Sequence, residues 1–406
     1  MAGSPIVRSK AVLRDAAGLQ RALLAWYRRH RRTLPWRASR DPYRVWVSEV
    51  MLQQTQVATA TPYYERFVAL FPTVRVLAQA DPARVLAAWA GLGYYRRARQ
   101  LHEAAGIVVR EHAGRVPSDP RAFGALPGVG RYTLGAVLSI GFGSPLPVLD
   151  GNVARVLARL TARPLSVRRA PDARTLWAMA EALLPGATPA GTRRAASAAD
   201  RGVLAWRGGA DPGDWNQALM ELGATLCTPR TPRCGACPVR GHCRAFALGQ
   251  QERFPPAAER RAPVVLRRAI AVLERRGRTL VVRRTGALLH GMWEPPGLEI
   301  APGRGALAPL VRALSGLGIK ARLTDTGARL KHVISHRSIT VEVWRAELVG
   351  ESPRASSHTR WAVPGSRSLA LTALARRVID NPPPAIANGP GGTSRANARR
   401  RRSPSV

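Results

Sequence analysis

The sequence predicts a multidomain protein, an all-α domain followed by a smaller α+β domain. Three observations carry this reading. From about Arg14 to Leu248 apolar residues recur at helical spacing and strand signals are nearly absent. After Phe254-Pro255-Pro256 the texture changes to β-branched runs around a glycine turn. The 406 residues are also enough for two domains that each bury a core.

The elements follow in chain order. Residues 1–13 form an N-terminal extension without an apolar segment, so a secretory signal is not expected. Within 14–248, Asp81-Pro82 opens ARVLAAWAGLG as an N-cap followed by proline at the first helical position, and Gly91 and Gly93 close it. Asp119-Pro120 repeats that opening before RAFGAL. Gly128-Val129-Gly130 then turns the chain from a short helix into RYTLGAVLSIGFG. The stretch Pro185 to Asp214 is rich in Gly, Ala and Arg and reads as an exposed loop. A Pro, Ala and Arg linker spans 249–262. Beyond it RRAIAVLERRGRTLVVRR reads as two strands and SITVEVWRAEL as another, within an α+β domain over 263–379. Residues 380–406 lack the apolar content for a core and are expected to be a disordered basic tail.

Charge narrows the partners. The chain carries 63 basic against 25 acidic residues, a formal net charge of +38. Lysine occurs only at Lys10, Lys320 and Lys331. Compositional drift would explain arginine in place of lysine but not the shortage of acids, and the excess is spread along the chain. A polyanion such as nucleic acid is the expected partner. No apolar run is long enough to span a membrane, so a cytoplasmic protein is expected.

All four cysteines fall between 227 and 243, as C-x6-C-x2-C-x5-C at Cys227, Cys234, Cys237 and Cys243. A secreted disulfide framework is rarely so compact. Four thiolates in one loop can hold a [4Fe–4S] cluster or a tetrahedral zinc, and zinc sites more often use two close pairs. The spacing resembles the cluster loop of the endonuclease III superfamily of DNA glycosylases. A structural staple with a basic rim of Arg230, Arg233 and Arg240 is its plainest role.

The turn at Gly128 and Gly130 places the start of a helix where its unpaired N–H groups can take a phosphate. A lone G-x-G is also an ordinary helix corner. With LPGVGRYT around it and VLDGNV further on, it resembles the helix–hairpin–helix of the same superfamily. Asp150, taken alone, is a helix N-cap, and Glu49 a helix-surface acid. Glu49, however, sits among Trp46, Val50, Met51 and Leu52, a setting that would raise its pKa and make it an acid near neutrality. Asp150 at a helix start is expected to stay ionised. One acid and one carboxylate are what cleavage of a glycosidic bond through an oxocarbenium-like state requires.

Read together, LPWR, DPYRVWVSEVMLQQTQV, GLGYYRRAR, LPGVGRYT, LDGNV and NQALMELGA, followed by the cysteine loop, resemble the MutY family of adenine DNA glycosylases. The resemblance runs from about Arg32 to Cys243 and resumes more weakly beyond. It implies removal of adenine mispaired with 8-oxoguanine, and perhaps guanine, in double-stranded DNA, by a monomer of the bacterial nucleoid. It also implies that Glu49 protonates adenine N7 and that Asp150 stabilises or attacks the sugar cation. Tyr132 would organise the two, and Asn152 would position water. Gln54 and Tyr94 match positions that intrude into the base stack, with Leu52 and Gln53 beside them. Trp36, Arg37 and Gln217 match positions near the extruded adenine, although Trp36 and Tyr94 can also be read as core aromatics. Relatives that also cut the backbone carry lysine in place of Tyr132, and this chain has none between residues 11 and 319. A monofunctional glycosylase is therefore expected.

GALLHGMWEPPGLEI resembles the start of a Nudix-like domain. No Asp or Glu lies between Ile300 and Thr324, so the metal ligands of a Nudix hydrolase are missing and recognition is expected instead. LKHVISHRSIT resembles the family loop that reaches 8-oxoguanine, implicating His332, Ser335 and His336. Ile334 stands where the family usually has phenylalanine, keeping an apolar wedge but losing ring stacking. Two other classes fit part of the pattern. A mismatch thymine or uracil glycosylase would share the tyrosine, and a non-catalytic iron–sulfur DNA-binding or redox-sensing protein would leave both acids structural.

Overall fold

The computed structural model describes residues 15–185, 211–257, 262–286, 288–334, 336–351 and 353–382. The expected N-terminal extension, the basic tail and residues 186–210 of the expected loop lie outside them. The chain divides into two compact units, one comprising residues up to 260 together with 367–370 and the other 261–366 and the residues from 371 on.

The first unit is helical. Among the described residues its helices are α1 (Ala16–His30), α2 (Pro42–Leu52), α3 (Val57–Leu70), α4 (Val74–Gln79), α5 (Pro82–Trp89), α6 (Arg96–Glu111), α7 (Pro120–Gly124), α8 (Arg131–Phe142), α9 (Gly151–Thr161), α10 (Ala170–Ala182), α11 (Pro212–Thr225) and α12 (Arg244–Ala247). Four of them start on an Asp-Pro pair. The carboxylates of Asp41, Asp81, Asp119 and Asp211 accept the N–H groups of Tyr43, Ala83, Ala122 and Gly213 at 2.7–2.9 Å, while the proline needs no partner for its nitrogen. Asp211-Pro212 corrects the expected loop, whose last residues begin α11. The core between these helices is built on Trp46, Trp89 and Trp215, all fully buried. Trp46 meets Phe123 edge-on at 5.3 Å and Trp89 meets Phe67 at 5.7 Å. Each such ring contributes on the order of 2–3 kcal/mol through burial.

The end of this unit differs from expectation. Residues 249–257, read from sequence as linker, carry a short 3-10 turn, and the carbonyls of Gln251 and Phe254 accept the Arg159 Nε–H at 2.9 and 2.8 Å. A buried guanidinium needs acceptors on every side, and this segment supplies two of them.

The second unit is a seven-stranded sheet carrying a helix on each face. Its strands are β1 (Val264–Arg275), β2 (Arg278–Arg283), β3 (Trp293–Glu294), β4 (Gly297–Ile300), β5 (Ala321–Ile334), β6 (Arg337–Leu348) and β7 (Thr359–Ala362). Its helices are α13 (Leu307–Gly316) and α14 (Ala373–Asp380). The order is β3-β2-β1-β6-β5, with β4 beside β1 and β7 beside β2. β1 and β6 pair in parallel, and the rest of the pairs are antiparallel. Ala269, Ala271 and Leu273 pack with Leu310 and Leu314 of α13, while Ile270, Val272, Val341 and Val343 pack with Leu374 and Val378 of α14. Burial on both faces is why the centre of β1 reads as an unbroken apolar run instead of an alternation. The helix α13, LAPLVRALSG, bears no acid.

Candidate active site

Three helix ends converge on one cavity of about 820 Å³ in the helical unit. The last turns of α2 deliver Glu49, the first turn of α8 delivers Tyr132, and the N-cap of α9 is Asp150. The cavity is also lined by Trp36, Arg37, Leu52, Gln53, Gln54, Gly128, Gly130, Asn152 and Gln217. Twelve positions scattered over the sequence thus share one wall. Tyr94 is exposed outside it, at 47% of its surface.

Glu49 is 5% exposed, and its Oε2 accepts the Tyr132 hydroxyl at 2.6 Å. Burial pushes its carboxyl up to about 7, helped by the Asp150 charge and opposed by the tyrosine hydrogen bond and Arg37. The sequence neighbour Trp46 is turned away onto Phe123. Tyr132 is raised well above its ordinary value by burial and by Glu49, so the phenol stays protonated and donates. Its oxygen also lies 3.3 Å from the Met220 sulfur.

Asp150 caps α9, its Oδ1 accepting the Val153 N–H at 2.7 Å. Its carboxyl lies above the ordinary carboxylate range because burial outweighs the hydrogen bonds from Val153 and Asn152. This direction is opposite to that of the helix dipole alone, which favours the carboxylate. Asn152 reaches this carboxylate directly. Its Nδ2 donates to Asp150 Oδ2 at 2.8 Å and its Oδ1 accepts Arg155 Nη2 at 2.9 Å, so the amide is fixed against the carboxylate. Arg155 continues to the carbonyls of Gly223 and Cys227 at 2.9 and 2.7 Å. Gly223 permits this approach, since a Cβ there would lie 2.6 Å from that of Asn152.

The two hairpin glycines differ. Gly128 has φ +78°, a conformation only glycine adopts cheaply, and a Cβ on it would meet Gln100 at 2.9 Å. Gly130, the N-cap of α8, has φ −91° and open space where its Cβ would be. Neither backbone conformation nor packing within the chain demands glycine there.

Sequence reasoning missed the anchor of the opposite wall. Glu221, 1% exposed, accepts Arg32 Nε and Nη2 at 2.7 and 2.8 Å and Arg37 Nη2 at 2.8 Å. Burial would raise its carboxyl, but these bonds outweigh it and hold it at about 2. Arg37 is thereby pinned at the rim. Trp36 is buried edge-on against Tyr64 at 5.4 Å and also lines the cavity. A lone acid in the apolar run ALMELGA was the available signal for Glu221.

The four cysteines are free thiols around one small hollow, with Leu226 and Phe246 in its wall. Among the described residues no three His, Cys, Asp or Glu side chains gather around a single ion. Four thiols in one loop are a donor set that an iron–sulfur cluster takes. Arg159 Nη1 lies 3.3 Å from Cys227 Sγ and Gln251 Nε2 lies 3.7 Å from Cys234 Sγ, N–H groups that favour thiolate over thiol. Burial pushes Cys237 up to about 11, a cost that ligation removes. Arg159, 2% exposed, also holds the carbonyls of Thr228 and Pro229 at 2.7 and 2.9 Å. Arg159→Met should cost on the order of 3 kcal/mol or more, because several buried acceptors lose their donor. Denaturant unfolding of the iron-loaded protein checks this, and an unchanged midpoint would contradict it.

In the second unit the residues of LKHVISHRSIT form the end of a hairpin. His332 lies within β5, paired with Ile339, and not in a loop. Burial and the nearby Arg268 and Arg377 hold its imidazole below the ordinary value. His336 is exposed in the turn, and Ser335 lies outside the described residues. Ile334 is not an exposed wedge, for it packs beside the cluster of Ile270 and Leu374. Val333, 68% exposed, is the outward apolar residue.

The fold and this cavity define a helix–hairpin–helix base excision repair protein with an iron–sulfur loop. Residues 47–169 match the HhH-GPD superfamily of base excision DNA repair proteins, 227–243 the iron-sulfur binding domain of endonuclease III, and 268–381 the NUDIX domain. The adenine DNA glycosylase of Rattus norvegicus is 35% identical, over 87% of this chain and 74% of its own length. That of Homo sapiens is 36% identical, over 86% of this chain and 70% of its own. A solved thermostable thymine-DNA glycosylase is 28% identical over 58% of this chain and 98% of its own, with a TM-score of 0.47. The chain belongs to the MutY family of adenine DNA glycosylases. It is a DNA repair glycosylase whose cofactor is a [4Fe–4S] cluster, and all four of its cysteines fall in the matched loop 227–243. No helix among the described residues is long and apolar enough to cross a membrane.

Proposed function

We propose that the protein hydrolyses the N-glycosidic bond of adenine paired with 8-oxoguanine, and with guanine, leaving an abasic site without cutting the strand. The observation that carries this is Glu49, poised near neutrality, hydrogen-bonded to Tyr132 and sharing its cavity with Asp150. Tyr132 donates to Oε2, so the acid proton rides on Oε1 and passes to adenine N7. Electrons of the C1′–N9 bond then leave with the protonated base, and the sugar becomes an oxocarbenium-like cation. Asp150 stabilises that cation or bonds to C1′ before water completes hydrolysis, and Asn152 and Arg155 keep its carboxylate aimed. Trp36, Arg37 and Gln217 frame the extruded adenine. Leu52, Gln53, Gln54 and Tyr94 fill and wedge the stack, and the turn at Gly128 and Gly130 takes a phosphate. His332, Ser335 and His336 face 8-oxoguanine. Cys227, Cys234, Cys237 and Cys243 would hold the cluster, which when bound would crosslink their loop.

The protein acts as a monomer on the DNA of the bacterial nucleoid, and its charge of +38 supports the DNA partner. Tyr132 where strand-cutting relatives have lysine, in a chain lysine-free from 11 to 319, supports a monofunctional enzyme. Labelled duplexes with adenine opposite 8-oxoguanine, guanine, thymine or cytosine, beside G:T and G:U duplexes, test both parts. Adenine opposite 8-oxoguanine should be released fastest and opposite guanine measurably, with breaks only after hot alkali. Release from G:T or G:U instead of adenine would overturn the substrate, and breaks before alkali would overturn the monofunctional part.

A further inference from the structure

Gln54 and Tyr94 lie far apart in sequence yet share an unusual backbone. Both are non-glycine residues in the left-handed region, at φ +57° and +48°. Such conformations persist only where neighbours hold them in place. One side chain touches the chain at both. Arg97, 9% exposed near the start of α6, donates through Nη1 to the carbonyls of Val50 and Met51 at 2.7 and 3.0 Å and to that of Gln53. These are orphan acceptors at the C-terminus of α2, the helix that carries Glu49. Through Nη2 it reaches Thr55 Oγ1 at 3.3 Å and the Gly93 carbonyl at 3.2 Å, and through Nε the Tyr94 carbonyl at 3.4 Å. Its guanidinium carbon lies 5.5 Å from the ring centroids of both Trp89 and Tyr94. The residues flanking Gln54 on both sides and those at and before Tyr94 are therefore tied to one planar group.

We infer that Arg97 is a positioning residue that locks the Gln53–Thr55 turn and the Gly93–Tyr94 turn into one rigid two-pronged wedge for the DNA duplex. The inference rests on the reading of Gln54 and Tyr94 as residues that enter the base stack. Its acceptors are neutral carbonyls and a hydroxyl. A guanidinium in that setting fixes geometry through its fork of N–H groups, which a lysine ammonium cannot span. Arg97 does not line the cavity that holds Glu49 and Asp150, so its loss should hinder extrusion of adenine and not the chemistry on adenine already extruded.

The test is single-turnover excision by the full-length, cluster-loaded protein from two duplexes, one with adenine paired to 8-oxoguanine and one with adenine facing an abasic site. Arg97→Lys should slow the first on the order of tenfold or more and the second far less, as a misplaced positioning group does. The unstacking signal of 2-aminopurine beside the mispair should fall in parallel, and the pH midpoint of excision should not move. Thr55→Val, which removes one contact and no charge, should show a smaller loss of the same kind, so a poorly folding Arg97 variant leaves the idea testable. Equal losses on both duplexes, or none, would overturn the inference. Gln54→Ala and Tyr94→Ala separate it from the reading beneath it. If they slow the paired duplex and Arg97→Lys and Thr55→Val do not, the inference alone fails; if neither slows it, the wedge reading fails and the inference falls with it.

Discussion

Glu49→Gln is expected to abolish adenine excision while leaving the fold and DNA binding intact. Glutamine keeps the volume and can still accept the Tyr132 hydroxyl through its amide oxygen. It lacks the proton that makes adenine a leaving group. General-acid assistance contributes on the order of 10²–10⁴ in rate, and single-turnover kinetics should show a loss of that size with little change in affinity for the mispaired duplex. Retained turnover would remove Glu49 as the acid.

The same substitution separates burial from chemistry through pH. In the wild type the protonated form is the active one and its carboxyl titrates at about 7, so excision should decline as pH rises through 7. That limb should be missing from whatever residual rate the variant keeps. Stability follows the same proton. The folded state holds it more tightly than the unfolded chain, whose glutamate titrates near 4.5. The stabilising contribution is complete below the unfolded value and is lost as pH rises toward the folded value, a loss of about 3 kcal/mol. Glu49→Gln should therefore unfold at higher denaturant than wild type at pH 8, and the gap should narrow toward pH 5. Parallel pH profiles for the two proteins would show that Glu49 is not desolvated in the native state.

How much of this was legible in the sequence depends on the range of the interaction. Helix starts were readable because an Asp-Pro pair acts within three residues, and the sheet because β-branched runs mark strands locally. Glu49 could be suspected of a raised pKa, but the neighbours that suggested it were wrong in part. Trp46 points at Phe123, and the enclosure comes from the walls of a cavity formed by other helices. The long-range arginines were invisible for the same reason. Arg32, Arg97, Arg155 and Arg159 all look like surface charge in an arginine-rich chain, and only the fold reveals that their partners are buried carbonyls and Glu221. The orientation of Asn152 was not legible either, since Arg155 decides which way its amide turns. The same holds for the hairpin of the second unit, because strand pairing continues through His332 and turns Ile334 into the core.

Asp150→Asn should cost about as much activity as loss of the acid, and for a reason that can be isolated. Asparagine caps a helix as well as aspartate does, so the Val153 N–H keeps its acceptor and α9 keeps its start. What changes is the charge opposite the sugar. A unit charge at about 4 Å in a setting of effective dielectric near 20 stabilises a cation by about 4 kcal/mol, or about a thousandfold in rate. Asn152 Nδ2 would also meet an amide in place of a carboxylate oxygen, a loss of about 1 kcal/mol at most. Asp150→Ala should lose the same rate and also the cap, lowering the unfolding midpoint where asparagine does not. The charge acts on Glu49 as well, holding its carboxyl up. With Asp150 neutralised, Glu49 should release its proton at lower pH, so the alkaline limb of the residual activity should shift toward acid. A variant within tenfold of wild type, or a limb that stays at its wild-type midpoint, would mean that Asp150 is only the helix cap it first resembles.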